Sequence, residues 1–259
     1  MGLLGSNGAG KSTTMNIICG VLKQTRGSVL IKGIDVRENP VSAKRCIGFL
    51  PQKPPLHMDL SVYEYLMHAT RMRHVPSSER KKAVKEVMER CGIAHFENRL
   101  IRNLSGGYQQ RVGIAQAIVH KPEFVVLDEP TNGLDPNQIL EVRRLIQDIS
   151  KECTVILSTH ILSEVQAVCD HVYMIEQGTM VFSGSLEEFD NYIPDSFVVS
   201  LASPPVTEDL KVIQGVKEVE ELGGMNFRVH FTGEDANPVM ELMVNTSRQR
   251  GWNLKEIRL

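Results

Sequence analysis

Gly5-Ser6-Asn7-Gly8-Ala9-Gly10-Lys11-Ser12 has the composition of a turn that closes around an anion. Its glycines let successive backbone N–H groups point inward with no Cβ in the way. Lys11 has the reach to meet β- and γ-phosphates, and the Ser12 hydroxyl suits Mg²⁺. A helix opening near Lys11 adds the positive end of its dipole to the same place. Gly5 through Ser12, with Thr13 behind them, are therefore expected to hold a nucleoside triphosphate.

Four further groups fit that chemistry. Asp128 and Glu129 stand side by side after the apolar run Phe124-Val125-Val126-Leu127. At the end of a strand, Asp128 would hold Mg²⁺ through its water shell and Glu129 would polarise an attacking water as general base. On its own, such an acid pair reads as a solvated loop; beyond a phosphate loop at a sheet's centre it reads as chemistry. Ser105, Gly106 and Gly107 offer a hydroxyl and two unhindered amides at the start of a helix Tyr108–Ile118, which makes a second anion site. An ordinary N-cap accounts for Ser105 but not for both glycines. Gln52 follows the run Ile47-Gly48-Phe49-Leu50, at the strand edge where ligands bind in open α/β sheets. His160, in Ser158-Thr159-His160, sits at the end of the next strand, within reach of a γ-phosphate.

These groups require a sheet that brings strand ends together. Short β-rich runs alternate with helical patterns, which predicts a mostly parallel sheet covered by helices. The runs are Val29–Lys32 closed by Gly33, Ile47–Leu50, Phe124–Leu127, Thr154–Leu157, Val172–Ile175 and Met180–Phe182, the last two joined by a Gln177-Gly178 hairpin turn. Phe124–Leu127 and Thr154–Leu157 are apolar on both faces, as central parallel strands are. An inserted helical subdomain spans about 57–117, with Ser61 and Glu64 at capping-box spacing and an amphipathic helix Ser78–Cys91. A composition break at Ile193-Pro194 opens a second domain, 193–259, after a phosphate-loop domain, 1–185. Its order is strand Phe197–Leu201, helix Thr207–Gln214, strand Val216–Leu222, strand Phe227–Phe231, helix Pro238–Arg250, strand Leu254–Ile257. This is the split βαβ, ferredoxin-like arrangement.

The chain has 259 residues and a formal net charge of −2, so no global basic surplus suggests a nucleic-acid partner. Its five cysteines are scattered without metal-ligand spacing and read as buried thiols of a reducing compartment. No apolar run approaches the roughly 18 residues of a membrane span, so a membrane role would pass through a partner.

The phosphate loop, Gln52, LSGGYQQR (Leu104–Arg111), VVLDEP (Val125–Pro130), Leu134-Asp135 and STH (Ser158–His160), in that order, resemble the ATP-binding subunit of an ABC transporter. The likeness runs from Gly2 to about Gly184, and LLGSNGAGKSTTMNIICGVL resembles the ABC-2-type exporter branch, some members of which carry an appended C-terminal domain. The resemblance implies a P-loop NTPase fold, ATP and Mg²⁺ as ligands, and two subunits sandwiching two ATPs head to tail. It implies that Ser105, Gly106, Gly107 and Gln109 contact the ATP held by the twin's Lys11, and that Asp135 crosses the same interface. Gln52 would sense both Mg²⁺ and a docking helix of a membrane permease, so the subunit would lie peripherally on the cytoplasmic face of the membrane. An isolated monomer would hydrolyse poorly. Family members carry further residues before the loop, including antiparallel strands and an aromatic ring that stacks on adenine. Only Met1-Gly2-Leu3-Leu4 precede it here, so the resemblance implies an N-terminally truncated chain. A non-transport ABC ATPase and a catalytically impaired remnant are the competing readings.

Overall fold

The computed structural model describes residues 1–190, 196–203, 205–233 and 235–258, in two compact units, Met1–Phe189 and Asp190–Leu259. The break expected at Ile193-Pro194 lies outside the described residues.

In the first unit, β1 (Gly2–Leu4) runs into the glycine-rich loop and α1 (Lys11–Ile18). A two-stranded ribbon, β2 (Leu30–Ile31) and β3 (Ile34–Asp35), is followed by α2 (Pro40–Arg45) and β4 (Ile47–Leu50). Then come α3 (Val62–Met72), α4 (Arg80–Arg90), α5 (Gly106–Ile118), β5 (Phe124–Asp128), α6 (Pro136–Ile149) and β6 (Thr154–Thr159). α7 (Leu162–Val168), β7 (His171–Glu176), β8 (Thr179–Ser185) and α8 (Leu186–Asp190) complete the unit.

The six-stranded sheet has the order β4-β5-β6-β1-β7-β8, parallel except for β8. Val125, Val126 and Leu127 of β5 are almost wholly buried, since helices cover both faces of a parallel sheet. The helices α3, α4 and α5 interrupt the chain between the paired strands β4 and β5. The α3 start forms the expected capping box, with Glu64 N donating to Ser61 Oγ at 3.2 Å and Ser61 N to Glu64 Oε2 at 2.9 Å. α4 buries Ala83, Val84, Val87 and Met88 and turns its charges outward.

Three expectations are corrected. Val29–Lys32 is no strand of the main sheet: positive φ at Lys32 and Gly33 turns the chain back at once, leaving two-residue strands with Leu30 exposed. α5 begins at Gly106, not Tyr108, so both glycines belong to its first turn. Cys46 and Cys153 are only half-buried, unlike Cys19, Cys91 and Cys169.

The second unit contains β9 (Ser196–Leu201), α9 (Thr207–Lys211), β10 (Val216–Gly223), β11 (Asn226–Phe231), α10 (Asn237–Arg250) and β12 (Leu254–Arg258). All pairs are antiparallel in the order β10-β11-β9-β12, and each helix links two strands with a third between them. That is the split βαβ topology. Phe197, Val199 and Leu201 alternate with less buried Ser196, Val198 and Ser200, so one sheet face makes the core. α9 is shorter than expected, because Val212–Gln214 leave the helix in tight turns before Gly215, at φ +89°.

Candidate functional site

β1 lies between β6 and β7, and this places the glycine loop at the carboxyl end of the sheet's centre. Gly10, at φ +109°, is the left-handed N-cap of α1, a conformation a Cβ would strain. A Cβ on Gly5 would come within 2.4 Å of the Ile175 carbonyl oxygen, so the loop can leave β1 this close to β7 only with glycine there. Asn7, Gly8, Gly10, Lys11, Ser12 and Thr13 line a cleft that Gln52 and Glu129 close from the other side.

Lys11 is buried and donates through Nζ to the carbonyls of Gly5 at 2.9 Å and Ser6 at 3.2 Å. The same ammonium lies 3.3 Å from Glu129 Oε1, and both side chains are 5% exposed. His160 Nδ1 stands 2.9 Å from Glu129 Oε2. An ionised carboxylate only accepts, so the hydrogen-bond network assigns the proton of this contact to Nδ1. Glu129 thus has one oxygen on a buried cation and the other on an imidazole that is 37% exposed.

The backbone around Glu129 is equally constrained. Its φ is +50°, unusual for a residue with a Cβ. Its N–H is held by Ser158, at 3.1 Å from both the carbonyl oxygen and Oγ. The Ser158 hydroxyl donates in turn to Asp128 Oδ1. Asp128 is 1% exposed and is not among the residues that line the cleft. Ser158 was within a motif picked out from sequence, yet its task was not legible there. It depends on the parallel register Asp128↔Ser158.

The remaining predicted residues lie apart from the cleft. Ser105 is the N-cap of α5 by backbone geometry, but its side chain makes no capping hydrogen bond within the helix. Ser105 and Gly106 are exposed; Gly107 is buried, with the Gln138 side chain where its Cβ would stand. Gln109 Nε2 donates to the Ile101 and Leu104 carbonyls at 3.1 and 3.2 Å, bracing the turn that leads into α5. Asp135 is the N-cap of α6 and accepts through Oδ1 from Asn137 N and Gln138 N at 3.0 Å each. Gln110, unassigned by sequence reasoning, is buried and donates to the Pro130 carbonyl at 2.8 Å, joining α5 to the turn after Glu129.

Oxygen-rich, partly hydroxylic donors around a phosphate loop are the chemistry of a hard cation, and Ser12, Gln52 and Asp128 supply such oxygens. Asp128 Oδ1 is already engaged by Ser158, so a cation would draw on Oδ2.

A family profile described as ABC transporter matches residues 1–132. The chain is 40% identical over 182 residues to the bacitracin transport ATP-binding protein BcrA of Bacillus licheniformis, covering 70% of this chain and 58% of that protein. It is 36% identical over 196 residues to the lipopolysaccharide export system ATP-binding protein LptB of Haemophilus influenzae, covering 74% and 81%. The structure of CbiO1 from Clostridium perfringens, part of the ABC transporter complex CbiONQ, superimposes with a TM-score of 0.66 at 32% identity, covering 73% of this chain and 78% of that one. The dimeric ATP-binding cassette MJ0796, in a post-hydrolysis state bound to ADP and Pi, gives 0.64 at 27% identity, covering 71% and 84%. The chain spans 58% and 61% of the lengths of BcrA and of YxlF from Bacillus subtilis. On this profile, these relatives and the site geometry, the chain belongs to the ABC transporter family.

Proposed function

We propose that this chain is the ATP-binding and ATP-hydrolysing subunit of an exporter, acting on a separate membrane permease from the cytoplasmic face. The observation that carries the reading is Glu129, held between Lys11 and His160 at the mouth of the phosphate loop. Gly5 through Thr13 cradle the triphosphate, with Lys11 against the β- and γ-phosphates. Ser12, Gln52 and Asp128 would hold Mg²⁺, which would supply charge neutralisation at the phosphate oxygens. Glu129 takes the proton of the attacking water, and His160 hydrogen-bonds the γ-phosphate from the adjacent strand end.

The site is completed by a second copy. Ser105 and Gly106 are exposed, and the Ser105 side chain makes no capping hydrogen bond within its own helix, which supports their contacting the ATP of a twin, with Gly107, Gln109 and Asp135 shaping that surface. Gln52, exposed where β4 gives way to the helical insert, would couple the bound nucleotide to a docking helix of the permease. The exporter assignment draws on relatives named for bacitracin transport and lipopolysaccharide export. Among the described residues no helix is long and apolar enough to cross a membrane, in keeping with a separate permease.

Glu129→Gln tests the reading. It keeps the shape and removes the base, so Mg·ATP turnover should fall by about a hundredfold or more while an ATP-bound dimer accumulates in size-exclusion chromatography. Hydrolysis at the parent rate would reject Glu129 as the base.

A further inference from the structure

Glu164 is an acid in the first turn of the short helix α7, and it is 3% exposed. Among the described residues no basic side chain is within ion-pair distance of it. Two hydroxyls bond to it instead: Thr131 Oγ1 donates to its Oε1, and Thr159 Oγ1 donates to its Oε2 at 2.7 Å. Thr131 and Thr159 are themselves 6% and 0% exposed, so the whole arrangement is shut off from water.

The two threonines belong to the two turns on which the proposed reaction depends. Thr131 lies two residues beyond Glu129; Asn132 N donates to the Glu129 carbonyl at 3.1 Å and Leu134 N to the Thr131 carbonyl at 3.2 Å. Thr159 immediately precedes His160, and its Oγ1 accepts from Ile161 N at 3.1 Å, closing a turn around the histidine. The β5–β6 ladder cannot hold this pair, because its last rung is Asp128↔Ser158. Beyond that rung the two turns meet through the His160 Nδ1–Glu129 Oε2 contact, and the Glu164 carboxylate, gripping both threonines, adds a buried second link behind it.

We infer that Glu164 is a positioning residue of the proposed hydrolysis, its carboxylate tying the Glu129 turn to the His160 turn. The inference rests on the function proposed above. A carboxylate suits the task because each oxygen accepts one hydroxyl in a fixed plane, and burial makes an unmade bond costly. Loss of the link lets base and imidazole drift apart, and displacements of this order lower rates far more than binding.

Steady-state Mg·ATP hydrolysis and amide hydrogen exchange on the full chain test it together. Glu164→Ala should lower kcat roughly tenfold or more while KM for ATP stays within about twofold, the split expected when an interaction serves the transition state rather than binding. Glu164→Gln, which can still accept from one hydroxyl and donate to the other, should restore most of the rate. Exchange at Asn132, Leu134 and Ile161 should quicken about tenfold in Glu164→Ala and recover in Glu164→Gln. Thr159→Val, close in shape, carries the same kinetic test should Glu164→Ala fail to fold. An unchanged kcat in Glu164→Ala, or a loss of kcat matched by loss of ATP affinity and not rescued by Gln, overturns the inference. If the parent chain shows no turnover, the proposed function fails separately. Exchange then decides the clamp: unaltered protection in Glu164→Ala overturns it, and loosening of both turns together supports it.

Discussion

His120, just past the end of α5, uses only one of its ring nitrogens. Nε2 lies 3.2 Å from the Ile47 carbonyl, which also accepts from Arg73 Nη1 at 3.2 Å, while Nδ1 is buried with no partner among the described residues. Because the carbonyl can only accept, Nε2 carries the proton and Nδ1 keeps a bare lone pair. Protonating Nδ1 would create a buried charge beside a guanidinium. Burial, and then Arg73, accordingly push the His120 pKa down to about 4. In the unfolded chain the imidazole titrates near 6.5, so between pH 6.5 and 4 the unfolded state binds the extra proton. The contribution is complete above pH 6.5 and is lost as pH falls toward 4, at most about 3 kcal/mol. His120→Gln keeps a donor for the Ile47 carbonyl and has no proton to gain. The stability gap between parent and variant, from urea unfolding at a series of pH values, should narrow by about that amount from pH 7 to pH 4. A gap independent of pH would mean that His120 titrates alike in the native and unfolded chains, so that burial does not disfavour its charge.

The helix α5 joins the phosphate site to the rest of the fold, and two of its neighbouring glycines do opposite things. Gly48, in the middle of β4, lets the helix lie against the strand: a Cβ there would sit 2.1 Å from the Ala117 carbonyl oxygen, a backbone atom that cannot swing away. Gly48→Ala should destabilise the protein by about 3 kcal/mol, read as a lower urea midpoint. Gly106, in the first turn of the same helix, has open space where a Cβ would be. Gly106→Ala should leave the midpoint unchanged or raise it by about 0.5 kcal/mol, yet abolish most turnover, because the open space is where the twin's nucleotide would lie. Full activity in Gly106→Ala would contradict that placement. The contrast also marks what a sequence makes legible. Residues 5–13, 105–107 and 128–129 could be located because glycine, hydroxyl and acid at fixed spacing encode local backbone chemistry. The paired strands Ile47–Leu50, Phe124–Asp128 and Thr154–Thr159 were legible as apolar runs. The Lys11–Glu129–His160 contacts, the Ser158 bridge and the Glu164 clamp were not. Each joins segments far apart in the chain and exists only once parallel register is set. The run Val29–Lys32 misled because its apolarity suggested a strand of the main sheet, while left-handed backbone at Lys32 and Gly33 turned the chain one residue sooner and cut it to two residues.

Across the full chain, apolar side chains collect in cores that respect the division into two units. Residues such as Leu50, Leu66, Ile114, Leu127 and Ile149 build the larger core, and Leu3, Met15, Ile47 and Val126 a second one in the same unit. Phe197, Val199, Leu201, Leu210, Phe227 and Met243 build another that, among the described residues, draws on those beyond 195. A ligand that binds the phosphate loop stabilises the folded form of the unit that contains it, by about 2.7 kcal/mol at a hundredfold excess over its dissociation constant. Truncating Phe197, which is 1% exposed, removes a large side chain from the other core at a cost of about 3–5 kcal/mol. Calorimetry should therefore resolve two transitions with opposite sensitivities. Mg·ATP, added to the non-hydrolysing Glu129→Gln variant, should raise one melting temperature and leave the other in place. Phe197→Ala in the same background should lower the second and leave the nucleotide-responsive one within a degree or so, since separate cores give nearly additive effects. A single transition displaced by both perturbations would mean that the two cores unfold as one cooperative body, and nucleotide binding would then be felt throughout the ferredoxin-like unit as well.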